Sequence, residues 1–455
     1  MELRTYQKED ANFLTSLPCS ACFNEQRTGK TPTALETIKL RGLIDEKVLI
    51  VTTASSIYQW KEEYEKWLGK PCQVCTGTPT QKLRSVDSWT HGLVISLDSF
   101  KETQTRNGLV EPILKKKPSM IILDEAHKIK NPKSANAKAI FKTSHIPYRL
   151  ALTGTPAQGK PYDIYSILRF LFPDDFRGFW KFLEDYFIIE EQTVYVNGKP
   201  RTFKTYEKFK PGKAEELQEL LSNFSTQRKR KDVMRWLPDK FYEQVRLAPT
   251  KEQTKYLNDL EKSYRTGEIV TTGTLDRLVR YRQICLDPGL LDLPGKSPKT
   301  EWIKQYLKDY PNEQIIIFSK FTSYLCKLAE EIDTKWAMLI GSTTTKQRGQ
   351  FIKDFQEGLF KVFLINIDAG KEAITLDAAS TTIFTDKYPP IGSIEQAEDR
   401  FVASTPAKKN KAHKIIELMI ADTFDEQLYS LLKQRKSETD IINNYNKYLK
   451  ERSTK

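Results

Sequence analysis

Residues 120–127 run Met120-Ile121-Ile122-Leu123-Asp124-Glu125-Ala126-His127: an apolar run, then two carboxylates, then a histidine. The apolar run is continuous rather than alternating. Runs of this kind belong to strands buried on both faces of a parallel sheet. An acidic pair at the carboxyl end of such a strand faces the crevice in which open α/β sheets bind ligands. Similar runs lie around it: VLIVTT (48–53), GLVISL (92–97) and RLALTG (149–154). A second series follows far downstream, with QIIIFS (314–319), VFLINI (362–367), TTIFTD (381–386) and KIIELMI (414–420). Polar segments of helical periodicity separate the runs. The chain is therefore expected to be an α/β protein with two parallel-sheet units, at 1–160 and 296–435.

The residues between these units differ in character. Residues 161–187 and 213–233 carry aromatic-rich helical periodicity, and Asn197-Gly198 divides two β-prone runs, which is a strong hairpin signal. We expect a helical protrusion over 161–235 with a hairpin near 193–205. A linker and a second helical protrusion should follow over 236–295, and a polar, basic tail over 436–455.

A second chemical signal lies upstream of the acidic pair. Thr28-Gly29-Lys30-Thr31 follows the apolar stretch CSACF and precedes the helical ALETIKL. Strand, loop, Gly-Lys-Thr, helix is the context of a phosphate-binding loop. Gly29 would let backbone N–H groups approach phosphate oxygens, Lys30 would sit at the β/γ-phosphates, and the Thr31 hydroxyl would ligate Mg²⁺. Asn24 occupies the first glycine position of the strict pattern, and Gly-Lys-Thr alone is equally a solvated turn. The acidic pair adds the missing half: Asp124 would hold Mg²⁺ through water, and Glu125 would orient and deprotonate an attacking water. Thr153-Gly154-Thr155 ends a further strand, where small hydroxyl residues can bond to His127 or to the carboxylates.

Composition sets the outer limits. Among 455 residues, 72 are Lys or Arg and 59 Asp or Glu, giving a net charge of +13; 39% are hydrophobic. That mix excludes a mostly disordered chain. No run reaches the ~18 apolar residues of a membrane span, and the polar N-terminus does not suit a signal peptide. Six cysteines are too sparse for a disulfide scaffold and point to a reducing compartment. The basic excess favours a polyanionic partner, nucleic acid before an anionic membrane. Basic clusters occur at Lys115–Lys117, at Arg228-Lys229-Arg230-Lys231 and at Lys408–Lys411. Cys19/Cys22 and Cys72/Cys75 have the spelling of a zinc site, but both pairs fall on expected strands. Residues i and i+3 of a strand face opposite ways, so no zinc is expected.

Taken together, these blocks resemble the Swi/Snf-type branch of the superfamily-two helicase-like ATPases. The resemblance rests on LRTYQ (3–7), VLIVTTASSIYQWKEEYEKW (48–67), DEAHKIKNPKSA (124–135), LALTGTPAQ (150–158), RKRKDVMRWLPDK (228–240), RYRQICLDPGLL (280–291), IIIFSKFTSYL (315–325), IEQAEDR (394–400) and DTFDEQLY (422–429). It implies two RecA-like lobes with helical protrusions between them, ATP and Mg²⁺ at Lys30, Thr31 and Asp124, and sequence-independent contact with duplex or branched DNA. It further implies that Tyr6 and Gln7 read the adenine, with Thr28 and Gly29 in the same nucleotide site. Gly370 and Arg400 would reach the nucleotide from the second lobe, and His127, Thr153, Gly154, Thr155 and Gln396 would couple it to movement. Arg228, Arg230, Lys231 and Lys371 would touch DNA.

The chain also departs from the family pattern. Ala403 stands where a second arginine belongs, only one glycine of the 369–376 block survives, and Arg27 occupies a position where the family prefers glycine. Either Arg400 carries the finger role, or a lysine such as Lys408 substitutes, or turnover is slow. The leading expectation is a DNA-stimulated ATPase that translocates on DNA. A strand-separating helicase is the alternative, and a DNA-binding scaffold with a dead nucleotide site is the third. A bare monomeric motor suits a bacterial or bacteriophage cytoplasm and a role in replication or recombination, with a nuclear setting if the source is eukaryotic.

Overall fold

The computed structural model describes residues 2–101, 108–157, 160–196, 199–234, 240–369, 376, 378–389, 394, 398, 413–434 and 438–453. The chain forms two compact units, Met1–Arg235 and Trp236–Lys455.

In the first unit the apolar runs become β1 (Cys19–Cys22), β2 (Val48–Thr52), β3 (Cys72–Cys75), β4 (Gly92–Ser96), β5 (Met120–Asp124) and β6 (Tyr148–Leu152). An antiparallel hairpin follows, β7 (Phe187–Val196) with β8 (Lys199–Phe209), and then the short β9 (Ser225–Thr226). The seven-stranded sheet has the order β3-β4-β2-β5-β6-β1-β9, and each of its pairings is parallel. Both faces are covered, which is why the runs are continuous. Leu49, Val51, Leu93, Ile95, Ile121 and Leu123 pack on one face, while Val48, Ile50, Val94, Met120 and Ile122 pack on the other. The cysteine pairs obey the same alternation: Cys19 and Cys75 lie in the first cluster, Cys22 and Cys72 in the second. Burial pushes the Cys72 thiol up to about 12 and Cys75 up to about 11, away from the thiolate form that binds metals.

The second unit repeats the plan. Its strands are β10 (Lys240–Leu247), the small pair β11 (Arg265–Thr266) and β12 (Ile269–Val270), then β13 (Ile315–Ser319), β14 (Trp336–Leu339), β15 (Val362–Asn366), β16 (Thr381–Phe384) and β17 (His413–Ile420). The six-stranded sheet has the order β10-β17-β16-β13-β15-β14, again with parallel pairings. Among the described residues no helix is long and apolar enough to cross a membrane.

Three elements differ from the sequence-based expectation. Residues 240–247, expected as linker, form β10, paired with β17 along its whole length; its mixed polar sequence, KFYEQVRL, suits an edge strand. Residues 213–233 are not one helix but a helix (Lys213–Ser222), β9, and a short helix (Arg230–Val233). The expected tail is mostly a helix, Glu438–Ser453, whose Ile441, Tyr445, Tyr448 and Leu449 are buried in the core of the second unit. The i, i+4, i+7, i+8 spacing of those residues is an amphipathic stripe, masked by surrounding Asn, Lys and Glu.

His413 opens β17 buried, its Nε2 3.0 Å from Thr382 Oγ1. Burial, and then the charge of Lys240, push it down to about 3. It therefore stays neutral in the fold while the unfolded chain protonates near pH ~6.5. Its stability contribution is complete above that pH and is lost progressively as pH falls toward the folded value. Denaturant titrations of wild type between pH 7 and 5 should show a loss of about 1–2 kcal/mol that His413→Gln removes; identical pH slopes for the two proteins would contradict this assignment.

Candidate functional site

The polar residues of the first unit collect where four neighbouring strands end. In the order β2-β5-β6-β1 these parallel strands release Thr52, Asp124, Thr153 and, just beyond Phe23, Asn24 at the same edge. That edge is where open parallel sheets bind ligands.

The loop after β1 is tightly specified. Gly29 has φ +81°, a left-handed conformation, and caps the helix Lys30–Leu40. A Cβ at Gly29 would lie 2.0 Å from Gln7 Nε2. Gln7 is there because its amide donates to the Thr28 carbonyl at 3.0 Å, while its Oε1 accepts from the Arg4 N–H at 2.9 Å. The Tyr6 hydroxyl donates to the same Thr28 carbonyl at 2.6 Å. Tyr6 and Gln7 thus support the loop from behind. Lys30 Nζ donates to the carbonyls of Asn24 at 3.0 Å and Glu25 at 3.2 Å. Thr31 is the second residue of the helix and half-buried. Arg27 takes φ +63°, the glycine-like backbone that explains why a glycine suits that position.

The acidic pair is fixed from several sides. Asp124 Oδ2 accepts from Thr52 Oγ1 and from Trp60 Nε1, both at 2.8 Å, and Oδ1 accepts from the Glu125 N–H at 3.0 Å. Burial, and then the neighbouring Glu125 charge, raise the Asp124 pKa; its hydrogen bonds and Lys30 act in the opposite sense. Cation binding there relieves a desolvated charge. Glu125 sits at φ 50°, ψ 48°, a strained backbone for a non-glycine residue that costs about 1–3 kcal/mol. Its Oε2 lies 3.2 Å from His127 Nδ1, and the same Nδ1 lies 3.1 Å from Thr153 Oγ1. Thr153 N–H donates to the Cys22 carbonyl at 3.1 Å, which returns to β1. Thr155 N–H donates to Thr153 Oγ1 at 3.2 Å. Gly154 packs on the phosphate loop, where an added Cβ would meet Gln26 at 3.2 Å. Lys30, Glu125, His127 and Thr153–Thr155, separated in sequence, are thereby one connected site.

Sequence reasoning missed four members. Thr52 and Trp60 lie in a quoted block but carried no role. Asp10 and Asn24 are both buried, and Asn24 Nδ2 donates to Asp10 Oδ2 at 2.7 Å. The one available signal was Asn24 in a glycine position. Arg228, expected on DNA, pairs with Asp10 at 2.9 Å and Glu9 at 3.1 Å. The Arg230 N–H donates to Glu25 Oε2 at 2.7 Å, and Lys231 is exposed on the short helix beside it. Gly370, Lys371, Gln396, Arg400 and Ala403 lie outside the described residues. Glu398 is described: Lys387 binds it at 2.8 Å and Glu417 at 2.7 Å, all three buried.

The SNF2-related domain matches residues 6–290, and the helicase conserved C-terminal domain matches residues 298–402. Mouse (Mus musculus) Chromodomain-helicase-DNA-binding protein 1-like is 26% identical over a gapped alignment 480 residues long, which spans 97% of this chain and 50% of that protein. Human (Homo sapiens) DNA annealing helicase and endonuclease ZRANB3 is 25% identical over 418 residues, covering 86% of this chain and 36% of that protein. The chain thus spans half or less of the length of these curated relatives. A solved structure, the Sulfolobus solfataricus SWI2/SNF2 ATPase core in complex with dsDNA, aligns at 21% identity and TM-score 0.42, over 95% of this chain and 91% of that chain.

Two glycines separate strain from collision. Gly42 has φ +69° with nothing within 4 Å of an added Cβ, whereas Gly29 adds the clash with Gln7. Gly42→Ala should cost about 1 kcal/mol of stability and leave binding of a fluorescent ATP analogue unchanged. Gly29→Ala should weaken that binding at least about tenfold; equal affinity for the two variants would show that the loop does not use this geometry.

Proposed function

The chain belongs to the SNF2-related domain family, and from that premise we propose that it is an ATP-hydrolysing motor, stimulated by DNA, that translocates on duplex or branched DNA and remodels it. The observation that carries this proposal is the connected site at the strand ends of the first unit. Lys30, the first residue of the helix after the β1 loop, would reach the β/γ-phosphates. Glu125 is held by its backbone and by His127 to orient and deprotonate water. Thr153 ties His127 to β6, so that a change at the phosphates is felt at the neighbouring strand end. The relatives' names, which include helicase and DNA-binding terms, support DNA as the track.

The donor set fits a hard divalent cation. It comprises a carboxylate with a raised pKa at Asp124 and a half-buried hydroxyl residue, Thr31, both of them oxygen donors. Mg²⁺ held by Thr31 and Asp124 would neutralise phosphate charge there. Arg400 is proposed as the guanidinium that stabilises the transferring phosphate, with Gly370 and Gln396 in the same nucleotide-sensing set. The Arg230 side chain, Lys231 and Lys371 remain proposed phosphate contacts for DNA.

Two measurements test the proposal. Glu125→Gln should keep ATP binding and lower hydrolysis by roughly a hundredfold or more; unchanged turnover would remove Glu125 from its role. On a duplex carrying a triplex-forming strand, ATP should drive displacement of the third strand. A forked duplex should stay paired. Release of a single strand from the fork would instead favour the helicase alternative.

A further inference from the structure

Arg228 is the first residue of the basic cluster expected on DNA, yet its guanidinium, on a side chain 37% exposed, is paired with two carboxylates of the first unit. Nε and Nη2 meet Asp10 Oδ1 at 3.0 and 2.9 Å, and Nη2 also reaches Glu9 Oε2 at 3.1 Å. Asp10 is fully buried and Asn24 is 1% exposed. The other Asp10 oxygen accepts from Asn24 Nδ2, and Asn24 Oδ1 accepts in turn from the Arg228 N–H at 2.9 Å. Asp10, Asn24 and Arg228 therefore close a ring of hydrogen bonds, charge-assisted where they meet the Asp10 carboxylate. Backbone bonds extend it: Glu25 N–H donates to the Arg228 carbonyl at 3.0 Å, and Arg230 N–H to Glu25 Oε2.

Asn24 and Glu25 are also the two residues whose carbonyls hold Lys30 Nζ. The segment 228–230 thus fixes, through side chains and backbone, the two oxygens that set the position of the phosphate-binding lysine. The same segment lies just before Arg235, where the first unit ends.

We propose that Arg228 is a positioning residue for the nucleotide loop, acting through Asp10 and Asn24, and is not a contact for nucleic acid. The proposal rests on the ATP site argued above. It also assigns a purpose to Asn24: its amide does what the glycine of the strict pattern cannot, because it bonds to both Asp10 and the Arg228 backbone.

Arg228→Lys separates the two roles. A lysine serves a DNA phosphate well as a point charge, but it cannot reproduce a forked guanidinium bridge. We expect Arg228→Lys to raise KM for ATP roughly tenfold. The dependence of duplex-DNA affinity on salt should stay that of wild type. Asn24→Ala, which leaves the Asp10–Arg228 pair intact, should reproduce the ATP defect, and it decides the matter if Arg228→Lys does not fold. The proposal is overturned if ATP parameters are unchanged in both variants, or if Arg228→Ala lowers the salt slope by about one with KM for ATP unaltered. The underlying ATP site is tested separately: wild type must bind the ATP analogue and Lys30→Ala must lose it. If that holds while Arg228→Lys binds normally, only the positioning role falls.

Discussion

A strand buried on both faces keeps a polar side chain in its interior only where a partner satisfies it, so polar groups that must meet a ligand gather at its ends. That constraint organises the first unit. β2, β5, β6 and β1 are neighbours, parallel, and apolar along both faces. Their polar residues, Thr52, Asp124, Thr153 and the loop from Asn24, are forced to one edge. Desolvation then works on what collects there: Asp124 is held charged only at a cost, visible in its raised pKa, and a cation or a phosphate-bound lysine relieves that cost. The chemistry follows from the sheet.

The loop that faces this edge is held from behind by polar groups from other elements. Tyr6 and Gln7 share the Thr28 carbonyl, and Asn24 is locked to Asp10 and Arg228. Strain is tolerated where the frame is firm: Glu125 and Arg27 both keep left-handed backbones. A cost of about 1–3 kcal/mol per residue is affordable only where surrounding bonds over-determine the geometry. Two departures from the family pattern, Asn24 and Arg27, are thereby accommodated: Asn24 by added bonds, Arg27 by a backbone that a glycine would enter more easily.

The fold was legible where hydrophobic pattern alone decides it. The runs at 48–53, 92–97, 120–125 and 149–154 all became strands, as did the four of the second series. β10 was not legible, because an edge strand with one side open keeps polar residues such as Glu243, Gln244 and Arg246. The helix Glu438–Ser453 was hidden because its stripe is narrow and partly tyrosine. At the site, Lys30, Asp124, Glu125, His127 and Thr153 could be named from local context. Asp10 and Arg228 could not: their partnership spans 218 residues, and no local pattern encodes it. A basic run such as 228–231 reads as a surface until the partner of each charge is known.

The most direct test is the steady-state rate of ATP hydrolysis as duplex DNA is titrated. A working site at the strand ends predicts a rate that rises with DNA to a plateau, and a Lys30→Ala protein that stays at background throughout. A wild-type rate indistinguishable from Lys30→Ala at saturating DNA would contradict it and leave a chain that binds without turning over.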